Sequence, residues 1–247
     1  MTVLITGAAG GVARALLPGI ADLDPRLTDR VPGPGIVAGD LASPSFARSV
    51  CEGVDAVVHL AADPDPGHSW SDLRGPNADA LVAVLDACAR AAVPRLVLAS
   101  SLHAVGGYRD AGDDRVPDEV SPFPCCVYGA TKAFAEALGR AYAARWDMRV
   151  VCLRLGGVQP APPARSWLPG WLGHDDLRSL VRAALTAEVS YGVYNATSAN
   201  TPAVFGLDGS RAALGYAPVQ DSASYTVPDD TPPPSTGLPR WGLLHRS

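Results

Sequence analysis

Five residues of strand character, Thr2-Val-Leu-Ile-Thr6, run straight into Gly7-Ala-Ala-Gly-Gly11 and then into the small apolar pair Val12-Ala13. A strand, a glycine turn and a helix start in immediate succession leave few options for the fold. The turn must reverse tightly, and its glycines let backbone N–H groups at a helix N-terminus approach a pyrophosphate. Gly7 is expected to make the turn, with Gly10, Gly11 and Val12 against the phosphates. Ala13 stands where a third glycine would, and is small enough for close helix–sheet packing. Taken alone, the motif also describes a glycine-rich turn that binds nothing.

Beyond residue 13 the chain keeps alternating. Apolar runs at 2–6, 26–29, 35–38, 54–60, 95–101 and 148–155 are separated by helical patterns at 10–21, 43–51, 71–92 and 127–146. Such alternation predicts βαβ units and a parallel sheet. The expected fold class is α/β, a Rossmann-type doubly wound parallel sheet. We expect one domain over 1–247, with a dinucleotide-binding core at 1–156 and a small substrate-side lobe at 157–247. That lobe is expected to hold a loop at 157–171, a helix at 174–187, a short strand at 192–196, a helical turn at 210–214 and an extended tail at 228–239.

An apolar share of 47% is enough for a large core. The net charge of −5, with no basic run, makes nucleic acid and anionic membranes poor partners. No apolar stretch reaches the ~18 residues of a membrane span; the longest candidate, 78–105, is broken by Asp86, Arg90 and Arg95. The amino-terminus has no basic region of the kind that opens a signal peptide, and the five cysteines form no CxxC pair and no zinc spacing. These features predict reduced thiols, a cytoplasmic protein and no metal.

A ribose-binding carboxylate is expected about 20 residues beyond the glycine turn. Asp29, 19 residues after Gly10, fits best. A carboxylate there accepts from ribose hydroxyls and repels a 2′-phosphate, which favours NAD; Arg30 next to it is the residue type that holds such a phosphate, so NADP stays open. Asp40 and Leu41 are expected to flank the adenine, and Leu60, Ala61 and Ala62 to leave room for the cofactor. His59 fits a satisfied core histidine better than a catalytic one.

Tyr128-Gly-Ala-Thr-Lys132 puts a phenol and an amine four residues apart, on one face of a helix. Lys132 is the only lysine among 20 basic residues. A neighbouring ammonium is expected to lower the phenol's pKa toward working pH, as a general base for an alcohol requires. Ser100-Ser101 lies upstream, at the end of a predicted strand. Other polar residues have plain readings: Cys125-Cys126 as packing at a helix start, His174-Asp175-Asp176 as a helix cap. Arg154 suits a structural ion pair or a substrate anion, and Trp167 and Trp171 line a pocket or cover the sheet edge.

Together these motifs make the chain resemble an extended short-chain dehydrogenase/reductase of the NAD-dependent epimerase/dehydratase superfamily. The resemblance implies that Tyr128 is the base, that Lys132 binds the nicotinamide ribose, that Ser101 bonds the reacting oxygen and that Asn77 contacts the cofactor. It also implies a homodimer through the two long helices. Within the superfamily the chain is most similar to uronate dehydrogenase-like sugar dehydrogenases. Ala99-Ser-Ser-Leu-His-Ala-Val-Gly-Gly-Tyr108, Tyr128–Glu136, Trp171–Asp176 and Thr231-Pro-Pro-Pro234 carry the likeness. Those enzymes oxidise the anomeric hydroxyl of a hexuronate to a lactone with NAD. By this resemblance Ser101, Leu102, His103 and Gly157 would line the substrate site, and Arg165 would pair with the carboxylate. Leu102 replaces an asparagine of the uronate enzymes and Gly157 a serine, which implies a less polar pocket. Two other readings fit parts of the pattern: a nucleotide-sugar epimerase or dehydratase, which usually needs a larger C-terminal lobe, and a non-catalytic NAD(P)-binding redox sensor, which commonly lacks the Tyr/Lys pair.

Overall fold

A computed structural model describes residues 1–230. The chain forms, in order, β1 (Thr2–Thr6), α1 (Gly11–Leu16), β2 (Asp24–Asp29), β3 (Ile36–Ala38), α2 (Pro44–Cys51) and β4 (Ala56–His59). Then come α3 (Trp70–Leu73), α4 (Ala80–Arg90), β5 (Arg95–Ser101), α5 (Gly106–Asp110), α6 (Val127–Arg145) and β6 (Arg149–Leu155). The remainder is β7 (Gly157–Val158), β8 (Trp171–Leu172), α7 (His174–Thr186), β9 (Tyr191–Ala196) and α8 (Asp208–Leu214).

Seven strands form one parallel sheet in the order β3-β2-β1-β4-β5-β6-β9. The order reverses between β1 and β4, and ligands of such sheets bind at that switch point, outside the carboxyl ends of the strands. Strand alternation divides the core. Val3 and Ile5 face Ala13, Leu16, Leu177, Leu180 and Val181 of α1 and α7. Leu4 and Val57 point the other way, into a cluster with Val50, Leu81, Val84 and Ala135 of α2, α4 and α6.

Two expectations need correction. The sheet does not end near residue 156: β9 pairs along its length with β6, and α7 packs on the sheet face. The segment 157–230 is therefore partly Rossmann core. Of the rest, the 3-10 turn Arg165–Gly170 and β7 contribute to the cavity at the carboxyl edge, and Val204 and Phe205 pack there with Leu102 and Val105. The helix expected at 71–92 is interrupted by a π-helical stretch, Arg74–Asp79, which contains Gly75 and Pro76. Proline has no amide hydrogen to donate to the helical ladder, and the wider turn accommodates it. The Thr231-Pro-Pro-Pro234 motif lies outside the described residues.

Candidate active site

At the switch point a cavity of about 760 Å³ runs from Asp29 to Trp167. Its cofactor end is made largely of backbone. Gly7 has φ +69°, and a Cβ on it would approach the Ala61 nitrogen to 2.7 Å. Only glycine fits both the left-handed conformation and the close approach of the two turns. Gly10, Gly11 and Val12 open α1 on the cavity wall. The Asp29 carboxylate at the end of β2 accepts the Ala9 N–H at 2.9 Å and the Val31 N–H at 2.9 Å. An ionised carboxylate has about four acceptor positions, so two remain for ribose hydroxyls. Asp40, Leu41, Leu60, Ala61 and Ala62 also line this end, and so does Arg30. The glycine cradle and the free carboxylate lone pairs fit a dinucleotide.

The other end gathers Ser101, Leu102, His103, Tyr128, Lys132 and Gly157. β5 delivers Ser101 at its last residue, and α6 presents Tyr128 and Lys132 one turn apart. Burial pushes the Tyr128 phenol up to about 12, and a hydrogen bond from Ser101 draws it partly back. Burial lowers Lys132 to about 8. Its Nζ donates to the Ala99 carbonyl at 3.0 Å and lies 5.6 Å from the Tyr128 ring centroid. The expected lowering of the phenol by Lys132 is not seen in the protein alone: burial dominates, and the group that draws the phenol back is Ser101. His59, as expected, is a core histidine: Thr6 Oγ1 is 2.9 Å from its Nδ1, and burial with the Lys132 charge depresses it to about 3.

Two expected site residues fall elsewhere. Asn77 is buried outside the cavity lining. Its Nδ2 donates to the Asp63 carbonyl and to Thr131 Oγ1, and its Oδ1 accepts the Asp63 N–H at 2.7 Å. It clamps the loop after β4 to α6. Arg165 is 66% exposed and paired with Asp229 at 2.9 Å, away from the cavity. The 3-10 turn instead offers Ser166 and Trp167 to the cavity. A Cβ on Gly157 would collide with the Trp167 ring, so the glycine leaves room for the indole against β7. Trp171 is fully buried and donates Nε1–H to the Gln159 carbonyl at 2.9 Å. Arg154 is structural: its guanidinium grips both Glu136 carboxylate oxygens at 2.9 Å.

Sequence reasoning missed Gln159, Ser166 and the prolines Pro64, Pro66 and Pro76 of the lining. No local motif marks them: Pro64 and Pro66 lie in the loop after β4 and Gln159 follows β7, while Pro76 and Ser166 sit in the short π-helical and 3-10 stretches.

The sequence signature of the NAD dependent epimerase/dehydratase family matches residues 3–159. The chain belongs to that family. It is 32% identical to an NAD-dependent glucose-6-phosphate dehydrogenase of Haloferax volcanii, over 91% of this chain and 95% of that protein. It is 30% identical to a uronate dehydrogenase of Pseudomonas putida, over 93% and 88%. Among solved structures, a mutant uronate dehydrogenase from Agrobacterium tumefaciens complexed with NAD superposes with a TM-score of 0.85 at 28% identity, covering 93% of this chain and 91% of that one.

Proposed function

We propose that this chain is an NAD-dependent dehydrogenase that oxidises the anomeric hydroxyl of a small sugar to the lactone. The observation that carries this reading is the gathering of Ser101, Tyr128 and Lys132 in one cavity with the glycine turn and Asp29. The relatives' names, glucose-6-phosphate and uronate dehydrogenase, support a sugar-sized substrate over a nucleotide sugar. Among the described residues no arginine lines the substrate end, since Arg165 is turned to Asp229 and Arg30 belongs to the cofactor end. An uncharged aldose therefore fits better than a hexuronate.

Gly7, Gly10, Gly11, Val12 and Asp29 would hold NAD, which when bound supplies a hydride acceptor and a cationic ring. Asp29 beside the ribose favours NAD over NADP by repelling a 2′-phosphate. Tyr128 takes the proton of the sugar hydroxyl at its phenolic oxygen, and Ser101 orients that hydroxyl. Lys132, held by the Ala99 carbonyl, keeps positive charge beside the phenol as it loses its proton. Trp167 closes the substrate end with an apolar ring. Val82 and Phe134, exposed on α4 and α6, fit a homodimer through these helices, and a cytoplasmic enzyme accords with the absence of a membrane-length apolar helix among the described residues.

Aldoses, uronic acids and sugar phosphates offered with NAD or NADP test the reading through net cofactor reduction. Tyr128→Phe should lower kcat by about 10²–10⁴-fold and leave NAD affinity nearly intact. Turnover close to wild type in that variant, or substrate conversion without net NADH, rejects the mechanism.

A further inference from the structure

Three soft donors converge at the substrate end in a way the dehydrogenase chemistry does not use. His103 sits in the 3-10 turn after β5, and Cys125-Cys126 ends the loop that enters α6. His103 Nδ1 lies 3.3 Å from Cys125 Sγ and 3.4 Å from Cys126 Sγ, and the two sulfurs are 4.0 Å apart. A tetrahedral metal with sulfur at about 2.3 Å and nitrogen at about 2.0–2.1 Å needs sulfur–sulfur edges of about 3.8 Å and sulfur–nitrogen edges of about 3.5 Å. All three edges agree with that triangle to within about 0.3 Å.

Packing at a helix start accounts for part of this cluster: the Cys125 backbone N–H and thiol also donate to the His103 carbonyl, at 3.2 and 3.7 Å. Cys126 is the N-cap of α6, and its Sγ accepts the Gly129 N–H at 3.3 Å. Nothing in capping requires a second thiol and an imidazole nitrogen to close the triangle.

We propose that His103, Cys125 and Cys126 form a binding site for one thiophilic divalent cation of the zinc class. Binding displaces the proton of each thiol, and two thiolates balance the metal's double charge. His103 coordinates through Nδ1 as the neutral ring with its proton on Nε2. No electrons are exchanged, so no oxidant is needed. A neutral complex suits a pocket in which Cys125 is 3% exposed. Three protein ligands leave a fourth position open. The cysteines are adjacent in sequence and the histidine lies 22 residues upstream, so no CxxC-type spacing betrays the site.

Cobalt(II) titration of chelator-treated protein tests this directly, with a readout separate from dehydrogenase activity. One equivalent should raise the visible bands of tetrahedral cobalt and a near-ultraviolet sulfur-to-cobalt band, and zinc should abolish both. Cys126→Ser and Cys125→Ser should each weaken binding at least ~10-fold, the scale of lesser, outer-sphere losses. Cys126 is half-buried, so its variant is the safer of the two, and a thermal melt of each variant establishes that it folds. Cys51→Ala is the control, because Cys51 and Cys88 are also 3.9 Å apart but lack a third donor among the described residues. The band should survive there. A wild-type protein with no band in excess cobalt overturns the proposal. So does a band that persists in the Cys125→Ser/Cys126→Ser double variant or vanishes in Cys51→Ala.

Discussion

The two ends of the cavity are built on different principles. At the cofactor end, residues close in sequence shape the wall through backbone: a left-handed Gly7, the amide groups that open α1, and one carboxylate pinned by two N–H groups. At the substrate end, side chains from β5, α6, β7 and the turn after it meet over long sequence separations. Such a site needs a frame beneath it. Glu136 supplies one: it accepts from Ser100 Oγ at 2.6 Å and from Arg154 at 2.9 Å, while Arg154 also donates to the carbonyls of Asp118 and Val120. A dinucleotide can be served by a short motif, whereas a particular sugar needs parts of the chain brought together and fixed.

The largest effect should come from breaking that frame. Glu136 and Arg154 side chains are 3% and 2% exposed. Removing one partner of a buried ion pair leaves an uncompensated charge and costs about 3–5 kcal/mol. Glu136→Ala should lose that much stability in urea unfolding, although Glu136 is not itself in the cavity lining and meets it only through Ser100. Glu136→Gln keeps hydrogen-bonding capacity and should fall between. If Glu136→Ala costs no more than a surface change, the substrate end does not depend on this frame.

The same contrast explains how far the sequence can be read. Strand, turn and helix at 2–16 are legible because one local pattern dictates all three, and Asp29 follows from the fixed length of a βαβ turn. Tyr128 and Lys132 are legible because helical spacing alone sets them on one face. Arg165 misleads because its partner, Asp229, is more than 60 residues away, and a free arginine near a sugar pocket looks like an anion binder. Asn77 misleads for a similar reason: its contacts to Asp63 and Thr131 turn an expected cofactor ligand into a clamp. The seventh strand of the sheet is visible as a strand but not as a member of the sheet, since pairing with β6 is decided by tertiary packing.

At the cofactor end, Asp29→Ala removes an acceptor of two backbone N–H groups together with the expected ribose contacts. Hydrogen bonds to a charged group contribute about 1.5–3 kcal/mol, which corresponds to roughly 10–150-fold in affinity. NAD binding by calorimetry should weaken within that range, and kcat at saturating NAD should change little. The preference for NAD over NADP should shrink, because Arg30 remains on the wall without its acidic neighbour. An unchanged NAD affinity would remove Asp29 from the cofactor site.

The smallest effect probes the substrate end at a single atom. Gly157→Ser adds a Cβ where the Trp167 ring lies, so the indole must tilt away from β7. Serine is the residue that the sequence resemblance implies at this position, so the change is chemically mild but sterically demanding in this protein. KM for the sugar should rise about tenfold, or ~1.4 kcal/mol, with the Kd for NAD unchanged. The cause is checked by a double-mutant cycle with Trp167→Ala. If the serine acts through the indole, its penalty should disappear once the ring is gone. If the penalty persists in the Trp167→Ala background, the serine acts on the substrate directly, and the indole is not what shapes this end of the cavity. Either result separates a wall defined by packing between side chains from one defined by the backbone itself.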